Sequence, residues 1–176
     1  MNLGKRYAKA LFQIGMGNGN LDLYVQQLRA LEDIFKHNDD LRRFFLDEFV
    51  DKTKKTAVLT NVCKRIDFTP EIIRLINLII NNDRANIYDD MVSIFEYMYN
   101  DFKGLIKVDI YTAYDIDNNE TGNVKSRIKE LFNKDPILNI KHDKTIISGM
   151  KLQIGWTVYD GTIKSNLKDF TDSIKI

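Results

Sequence analysis

The chain has 176 residues, of which 44% are hydrophobic, enough to bury one good core or two small ones. Its 26 basic and 25 acidic residues leave a net charge of +1, so no strong overall field would recruit nucleic acid or an acidic surface. The single cysteine, Cys63, excludes an internal disulfide and a cysteine-based metal site.

The sequence predicts neither a secretory signal nor a membrane-spanning segment. The N-terminal stretch "MNLGKRYAKALFQIG" contains basic residues but no unbroken apolar run, so we expect no secretory signal. The longest apolar cluster, around Ile72 to Ile80, is too short to cross a bilayer. We therefore expect a protein that does not insert directly into a membrane.

Apolar residues recur at helical spacing through the first hundred residues, which predicts an all-α six-helix bundle. Gly15 and Gly17 are expected to end the first helix, and Thr69 and Pro70 to begin the fifth. The predicted core faces are, helix by helix, Tyr7, Ala10, Leu11 and Ile14; Leu21, Val25, Leu28, Leu31 and Phe35; Leu41, Phe44 and Phe45; Val58, Leu59, Val62 and Ile66; Ile72 to Ile80; and Tyr88, Met91, Val92, Phe95, Met98 and Phe102.

The apolar period changes from 3.6 to 2 after Gly104, which predicts a small α+β domain there. Asp117 and Glu120 form the pattern of a capping box that opens a helix. The predicted elements are a strand with Ile106, Val108 and Ile110; a helix with Val124, Ile128, Leu131 and Phe132; a turn at Asn133–Pro136 and a short strand "ILNI"; a strand with Leu152 and Ile154; and a final helix with Ile163, Leu167, Phe170 and Ile174. The fold class is thus α+β, with domains at 1–104 and 105–176.

A glycine recurs at every sixth position of "TIISGMKLQIGWTVYDGTIKSNL", at Gly149, Gly155 and Gly161. The spacing matches neither a Walker-type phosphate loop nor a dinucleotide fingerprint, so we interpret these glycines as structural. Gly149, Gly155 and the pair Asp160–Gly161 are candidate turns. The residues leave two alternatives open: a hairpin turn at Gly155–Trp156, or one continuous strand with Trp156 on its apolar face.

The residues that could carry chemistry form no recognisable site. His37 and His142 fall in different halves of the chain, and Cys63 lies on an apolar helix face without a neighbouring base. The acidic pairs lie at predicted helix starts or turns, where carboxylates complement the helix dipole. We expect no catalytic residue, no metal site and no cofactor.

One helix is more apolar than a bundle helix needs to be. Between Ile72 and Ile80 only Arg74 and Asn77 are polar. Two interpretations are open: a central helix wrapped by its neighbours, or a helix with part of its face in a groove that takes a partner helix.

Three segments carry a resemblance that covers nearly the whole chain: "RYAKALF" at 6–12, "NNDRANIYDDMVSIF" at 81–95, and the glycine-spaced tail. In order and spacing they are similar to the delta subunit of bacterial F-type ATP synthases, a relative of the mitochondrial oligomycin-sensitivity-conferring protein. The tail departs from the family pattern at three places. Ser148–Gly149 stands for a glycine pair, Gly155–Trp156 for a Gly-Asp turn, and Thr162–Lys164 for Ser-Val-Arg.

The resemblance implies a non-catalytic stator subunit that clamps the catalytic head to the peripheral stalk, so that the head resists rotation during proton-driven ATP synthesis. The helical domain would take the N-terminal helix of an alpha subunit into a groove between its first and fifth helices. The C-terminal domain would bind the paired b subunits. The groove residues implied are Tyr7, Ala10, Leu11, Ile14, Leu75, Leu78, Ile79 and Asn82.

The resemblance also favours the hairpin at Gly155–Trp156, with Trp156 exposed at its tip. Because it begins almost at Met1, we expect no transit peptide and a location at the cytoplasmic face of a bacterial membrane, as a peripheral part of the complex. The alternative is a helix-binding adaptor of an unrelated pathway, which would share the groove but not the partners.

Overall fold

The computed structural model describes residues 3–146, 148–155 and 157–161, and it divides into two compact units, Met1–Tyr99 and Asn100–Ile176. The sequence predicted a boundary near Gly104, and the domain bounds 1–104 and 105–176 stay a prediction. The fold class is α+β, as predicted, with a helix-rich N-terminal region and a small mixed sheet of four strands after it.

The helical region is built from six α-helices and a 3₁₀ turn. Their bounds are α1 Leu3–Asn18, α2 Leu21–His37, α3 Asp39–Leu46, α4 Lys52–Arg65, α5 Pro70–Asn81, the 3₁₀ turn Ala85–Ile87, and α6 Tyr88–Phe102. A seventh helix, α7, spans Asn118–Phe132 in the second unit. The described part of the chain therefore contains seven α-helices, so the predicted count of six helices is not exact.

The core of the bundle forms around α2 and α5. All five predicted core positions of α2 are buried, which confirms that part of the sequence pattern. Phe35 stacks on Phe45 with ring centroids 5.1 Å apart, and both rings meet Tyr88 edge-on at 5.7 Å. Such aromatic contacts add to the stability gained from burying apolar area.

The predicted core face of α1 is wrong in part. Its buried residues are Gly4, Ala8, Leu11 and Gly15, whereas Ala10 and Ile14 are exposed. Gly15 does not end the helix: it lies inside it, where an added Cβ would be 2.7 Å from Leu21 Cδ2. The helix ends at Asn18, and Gly19 follows with a positive φ of 73°.

The predicted face of α4 is also displaced. Lys55, Leu59 and Cys63 are buried, but Val58 and Ile66 are 39% and 41% exposed. The outer apolar residues Phe102 of α6 and Leu131 of α7 are likewise exposed, against prediction. Helical periodicity identifies which residues share a side of a helix, but not which of them faces the centre of the bundle.

Gln27 of α2 fixes the start of α5. Its Oε1 accepts hydrogen bonds from Thr69 N at 3.1 Å and Thr69 Oγ1 at 2.9 Å, and its Nε2 donates to Asp67 O at 3.3 Å. Thr69 occupies the predicted cap position and Pro70 the first helical position. The hydroxyl of Thr69 therefore bonds to Gln27 rather than to the helix backbone.

The second unit is a four-stranded sheet packed against α7. Strand β1 (Leu105–Thr112) lies between β2 (Asp135–His142) and β3 (Met150–Ile154), and β4 (Thr157–Asp160) pairs with β3. β1 is parallel to β2 and antiparallel to β3. Val108, Ile110 and Ile128 form its buried core.

Two local predictions in this unit have clear outcomes. The capping box is confirmed: Glu120 N donates to the Asp117 carboxylate at 2.6 Å, and Asp117 N donates to that of Glu120 at 3.3 Å. The turn predicted at Asn133–Pro136 is shorter, because β2 already begins at Asp135. Asn133 follows α7 with a left-handed φ of 52°.

The candidate turns of the tail divide into two kinds. Gly149 and Gly155 have positive φ values of 89° and 58°, and Ile154 pairs with Thr157 across a two-residue loop, so the hairpin is confirmed and the continuous strand is wrong. Asp160 pairs with Lys151 as the last residue of β4. Gly161 does not have a positive φ; instead, an added Cβ would lie 3.2 Å from the carbonyl oxygen of Met150.

Trp156 and the predicted terminal helix with Ile163, Leu167, Phe170 and Ile174 lie outside the described residues. In the described segments, none of the helices combines the length and the apolar character needed to cross a bilayer.

Candidate interaction surfaces

A contact between Tyr7 and Arg84 ties α1 to the segment that follows α5. Arg84 Nη1 donates to the Tyr7 hydroxyl at 2.8 Å, and the guanidinium carbon lies 5.9 Å from the centre of the Tyr7 ring. The Arg84 backbone N–H donates to the carbonyl of Ile79 at 3.0 Å, which closes the end of α5. Tyr7, a residue of the predicted groove on α1, is thus held against the segment that closes the end of α5.

The eight predicted groove residues separate by burial. Leu11, Leu75 and Ile79 belong to the core, at 2%, 9% and 0% exposure, and Tyr7 is half-buried. The remaining four are exposed: Ala10, Ile14, Leu78 and Asn82. Only these four and Tyr7 are available to a partner, while the other three support them from beneath.

Two of the exposed positions are large and apolar. Ile14 is 49% exposed on α1, and Leu78 is 51% exposed on α5. Ala10 adds a small exposed side chain on α1. We call Tyr7, Ala10, Ile14, Leu78 and Asn82 the α1–α5 surface.

The apolar excess of α5 is explained mainly by the core. Its five buried residues, Ile72, Leu75, Ile76, Ile79 and Ile80, cover more than one side of the helix, as expected of a helix wrapped by its neighbours. Leu78 does not fit this explanation, since half of its side chain faces solvent. A central helix and a partner-binding face are therefore compatible on α5.

The second unit offers a polar sheet surface on the side that carries Asp109 and Tyr111. Asn139 Nδ2 and Lys141 Nζ donate to the two carboxylate oxygens of Asp109 at 2.7 and 3.0 Å. Partial burial raises the pKa of Asp109, but these two hydrogen bonds outweigh it and hold the pKa below its ordinary value. The Asp109 hydrogen bond in turn raises the pKa of Lys141, so both groups are charged at neutral pH.

The described residues contain no cluster of three or more histidine, cysteine or acidic side chains that could hold a metal ion. Cys63 is buried, and burial raises the pKa of its thiol to about 11, which keeps it protonated and unreactive. A shallow hollow of about 430 Å³ between α4 and α5 is lined by Thr53, Thr56, Ala57, Thr60, Asn61 and Asn81 and is open to solvent.

Sequence reasoning missed Arg84, which contacts a residue of the α1–α5 surface, and Phe49, an exposed residue outside the surfaces described above. Arg84 forms the contact with Tyr7, although it stands inside the quoted segment "NNDRANIYDDMVSIF". Phe49, between α3 and α4, is 99% exposed. It lies outside every periodic segment, so no sequence pattern marked it.

Comparison with known proteins gives the same family from sequence and a similar fold from structure. A model of the family "ATP synthase delta (OSCP) subunit" matches residues 3–174. The ATP synthase subunit delta of Caldanaerobacter subterraneus subsp. tengcongensis is 30% identical over 94% of this chain and 92% of its own length. That of Oceanobacillus iheyensis is 29% identical over 98% of this chain and 94% of its own length.

Two solved structures share the fold at low sequence identity. A chain of the Toxoplasma gondii mitochondrial ATP synthase hexamer superposes with a TM-score of 0.82 at 19% identity, over 98% of this chain and 97% of that one. A chain of the Polytomella F-ATP synthase superposes with a TM-score of 0.55 at 19% identity, over 58% of this chain and 90% of that one.

Proposed function

The chain belongs to the ATP synthase delta (OSCP) subunit family, and from this premise we propose how it acts as a non-catalytic stator subunit of the peripheral stalk. A rotary enzyme works only if its catalytic head is prevented from turning with the central shaft. A stator subunit therefore needs two protein-binding surfaces, one for the head and one for the stalk. Family membership also removes the unrelated adaptor as an account of the groove.

The helical domain, 1–104, binds the head by taking the N-terminal helix of an alpha subunit on the α1–α5 surface. The observation that carries this proposal is the exposure of Ile14 and Leu78, at 49% and 51%, above buried residues of the same two helices. A partner helix that covered the exposed half of each side chain would gain roughly 1 kcal/mol per side chain, on a scale of about 1.5–3 kcal/mol for complete burial.

The arrangement suits a helix in a groove for two further reasons. Ala10 presents no bulk beyond Cβ, so a helix backbone can approach α1 there. The hydrogen bond of 2.8 Å between Arg84 and Tyr7 holds one end of the surface in place before binding, which lowers the entropy lost on association.

The C-terminal domain, 105–176, binds the paired b subunits of the stalk. Support comes from its separation into a compact unit of its own and from the charged sheet surface around Asp109 and Lys141. Two contacts made by one chain raise the effective concentration of each, so the assembly resists torque better than either contact alone.

We place the protein at the cytoplasmic face of a bacterial membrane, held there by its partners. The named delta subunits that it resembles come from bacteria, and the described helices contain no bilayer-spanning segment.

The test is the affinity of the full-length protein for its host's catalytic head, purified without this subunit. Ala10→Trp should abolish binding, because the indole would fill the position where the partner backbone approaches. Ala113→Trp adds the same bulk at an exposed position after β1 and should leave the affinity unchanged. Full affinity in the Ala10→Trp variant, with unchanged helicity, would contradict the proposed surface.

A further inference from the structure

Phe49 is the most exposed large apolar side chain in the described part of the protein. It is 99% exposed, while the next, Leu131, is 68% exposed. Single exposed apolar residues are common on protein surfaces, but they usually keep part of their area against neighbours. A phenyl ring with so little buried area gains little from the hydrophobic effect within this fold, so its apolar area is available to a partner.

The loop that carries Phe49 is held in one conformation. The Asp47 carboxylate accepts a hydrogen bond from Phe49 N at 2.9 Å, and the Asp51 carboxylate caps α4 by accepting from Thr53 N at 2.8 Å. Lys55, only 6% exposed, donates from its Nζ to the carbonyl of Asp47. Both ends of the loop are thus fixed, and the ring projects from a prepared backbone.

The surroundings of the ring are acidic. The segment 47–51 contains Asp47, Glu48 and Asp51 and no basic residue. A hydrogen bond from the Thr53 hydroxyl, with others from the helix backbone, lowers the pKa of Asp51, which is therefore ionised at neutral pH. Of the lysines that follow, Lys52 pairs with Asp83 at 2.5 Å and Lys55 is buried, while Lys54 is exposed and acts on Asp51. The three carboxylates of the loop outnumber this one lysine, so the loop carries net negative charge.

The same loop adjoins the end of the α1–α5 surface. Lys52 Nζ donates to the carbonyl of Asn81 at 3.1 Å as well as to Asp83, which ties the start of α4 to the end of α5. The next residue of that segment, Arg84, bonds to Tyr7. Through Lys52, the end of the Phe49 loop is therefore linked to the segment after α5 that also holds Tyr7.

We propose that Phe49 anchors a second contact with the catalytic head, by inserting into an apolar pocket whose rim carries lysine or arginine side chains. This inference rests on the proposed function, because it takes the head as the partner. An aromatic ring that enters a pocket and is fully desolvated is the usual form of an interface hot spot, and a surrounding ring of charge favours a complementary partner.

Two other occupants fit the loop less well. A second copy of this chain in a two-fold contact would bring the loop's carboxylates against their own equivalents, since such an interface joins identical patches. A bilayer with anionic lipids would repel the same carboxylates.

The experiment compares Phe49→Ala with Tyr97→Ala in the full-length protein, by measuring affinity for the host's catalytic head purified without this subunit. Tyr97 is an equally simple aromatic truncation, 67% exposed on α6. We expect Phe49→Ala to weaken binding about thirtyfold and Tyr97→Ala to leave it unchanged. Neither change removes a buried side chain, so both variants should keep the wild-type melting curve.

Reversing the charge of Glu48 tests whether basic side chains surround the partner's pocket. Glu48→Lys should weaken binding and Glu48→Gln should weaken it less, with the difference shrinking as salt is raised.

Wild-type affinity in Phe49→Ala, together with lost affinity in Ala10→Trp, would overturn this inference and leave the proposed function intact. A wild-type protein that does not bind the head would overturn both. A Phe49→Ala variant that binds the head normally but loses self-association, or binding to anionic vesicles, would assign the ring to one of the rejected occupants.

Discussion

Replacing Gly15 and Gly17 by alanine, one at a time, should change the stability of the helical unit in opposite directions. Both glycines lie in α1, where alanine favours the helix by about 0.5–1 kcal/mol over glycine. Their surroundings differ. A Cβ at Gly15 would lie 2.7 Å from Leu21 Cδ2 and 3.1 Å from Tyr24 Cδ2, whereas a Cβ at Gly17 would meet nothing within 4 Å.

The difference between the two variants isolates the cost of packing, because the gain in helix propensity is common to both. Leu21 and Tyr24 are buried, at 5% and 0% exposure, so neither can move aside without disturbing the core. Overpacking of this kind costs about 1–3 kcal/mol. We expect Gly17→Ala to raise the unfolding free energy by up to about 1 kcal/mol, and Gly15→Ala to lie about 1–3 kcal/mol below Gly17→Ala.

Urea denaturation of the full-length variants, followed by far-ultraviolet circular dichroism, measures this difference in the transition of the helical unit. Equal midpoints for the two variants would show that Gly15 has room for a side chain. That result would refute the placement of Gly15 against α2, and with it the corrected core face of α1.

Three further predictions concern single contacts. Gln27→Ala should lower the unfolding free energy by about 1–3 kcal/mol, because it removes a buried side chain and leaves the half-buried N–H and hydroxyl of Thr69 without their partner. The exposed neighbour, Gln26→Ala, should change it by no more than about 0.5 kcal/mol in the same urea titration. Gly155→Ala should lower the thermal unfolding midpoint of the sheet unit, because a left-handed φ costs a residue with a side chain about 1–2 kcal/mol. Gly122→Ala in α7 should raise this midpoint, and a higher midpoint in both variants would contradict the hairpin geometry. The folded protein lowers the pKa of Asp109, so the ionised carboxylate stabilises the fold at pH values above its ordinary pKa of 3.8. This stabilisation is lost as the pH falls through the lower pKa that the group has in the folded protein, so the wild type should be more stable than Asp109→Asn at neutral pH and lose that advantage in acid. A stability difference that does not change with pH would be evidence against this ion pair.

Local patterns of the sequence predicted local structure well. The capping box at Asp117 and Glu120 and the buried face of α2 depend on residues a few positions apart, and both are confirmed. The hairpin at Gly155 could be chosen over a continuous strand only through the family resemblance, since the apolar alternation of "KLQIGWTV" fits both. A glycine with φ 58° is what decides the turn, and the sequence alone does not reveal φ.

Predictions that depend on tertiary placement failed at the margins of several helix faces, among them those of α1 and α4. Ala10 and Ala8 are both small residues on α1, and only the tertiary packing of the helix determines that Ala8 is buried and Ala10 exposed. Gly15 was interpreted as a helix end because its packing against Leu21 and Tyr24 is invisible in the sequence. For the candidate surface, the family resemblance indicated which two helices to consider. The structure then distinguished buried residues such as Leu11 from exposed ones such as Leu78.

The measurement that tests the central claim most directly is a calorimetric titration of the full-length protein with a peptide of the host alpha subunit's N-terminal segment. The account predicts saturable one-to-one binding that Ala10→Trp removes and Ala113→Trp preserves. A folded wild-type protein that takes up no peptide, or an Ala10→Trp variant that binds it with full affinity, would contradict the α1–α5 surface as the site at which this stator subunit holds the head.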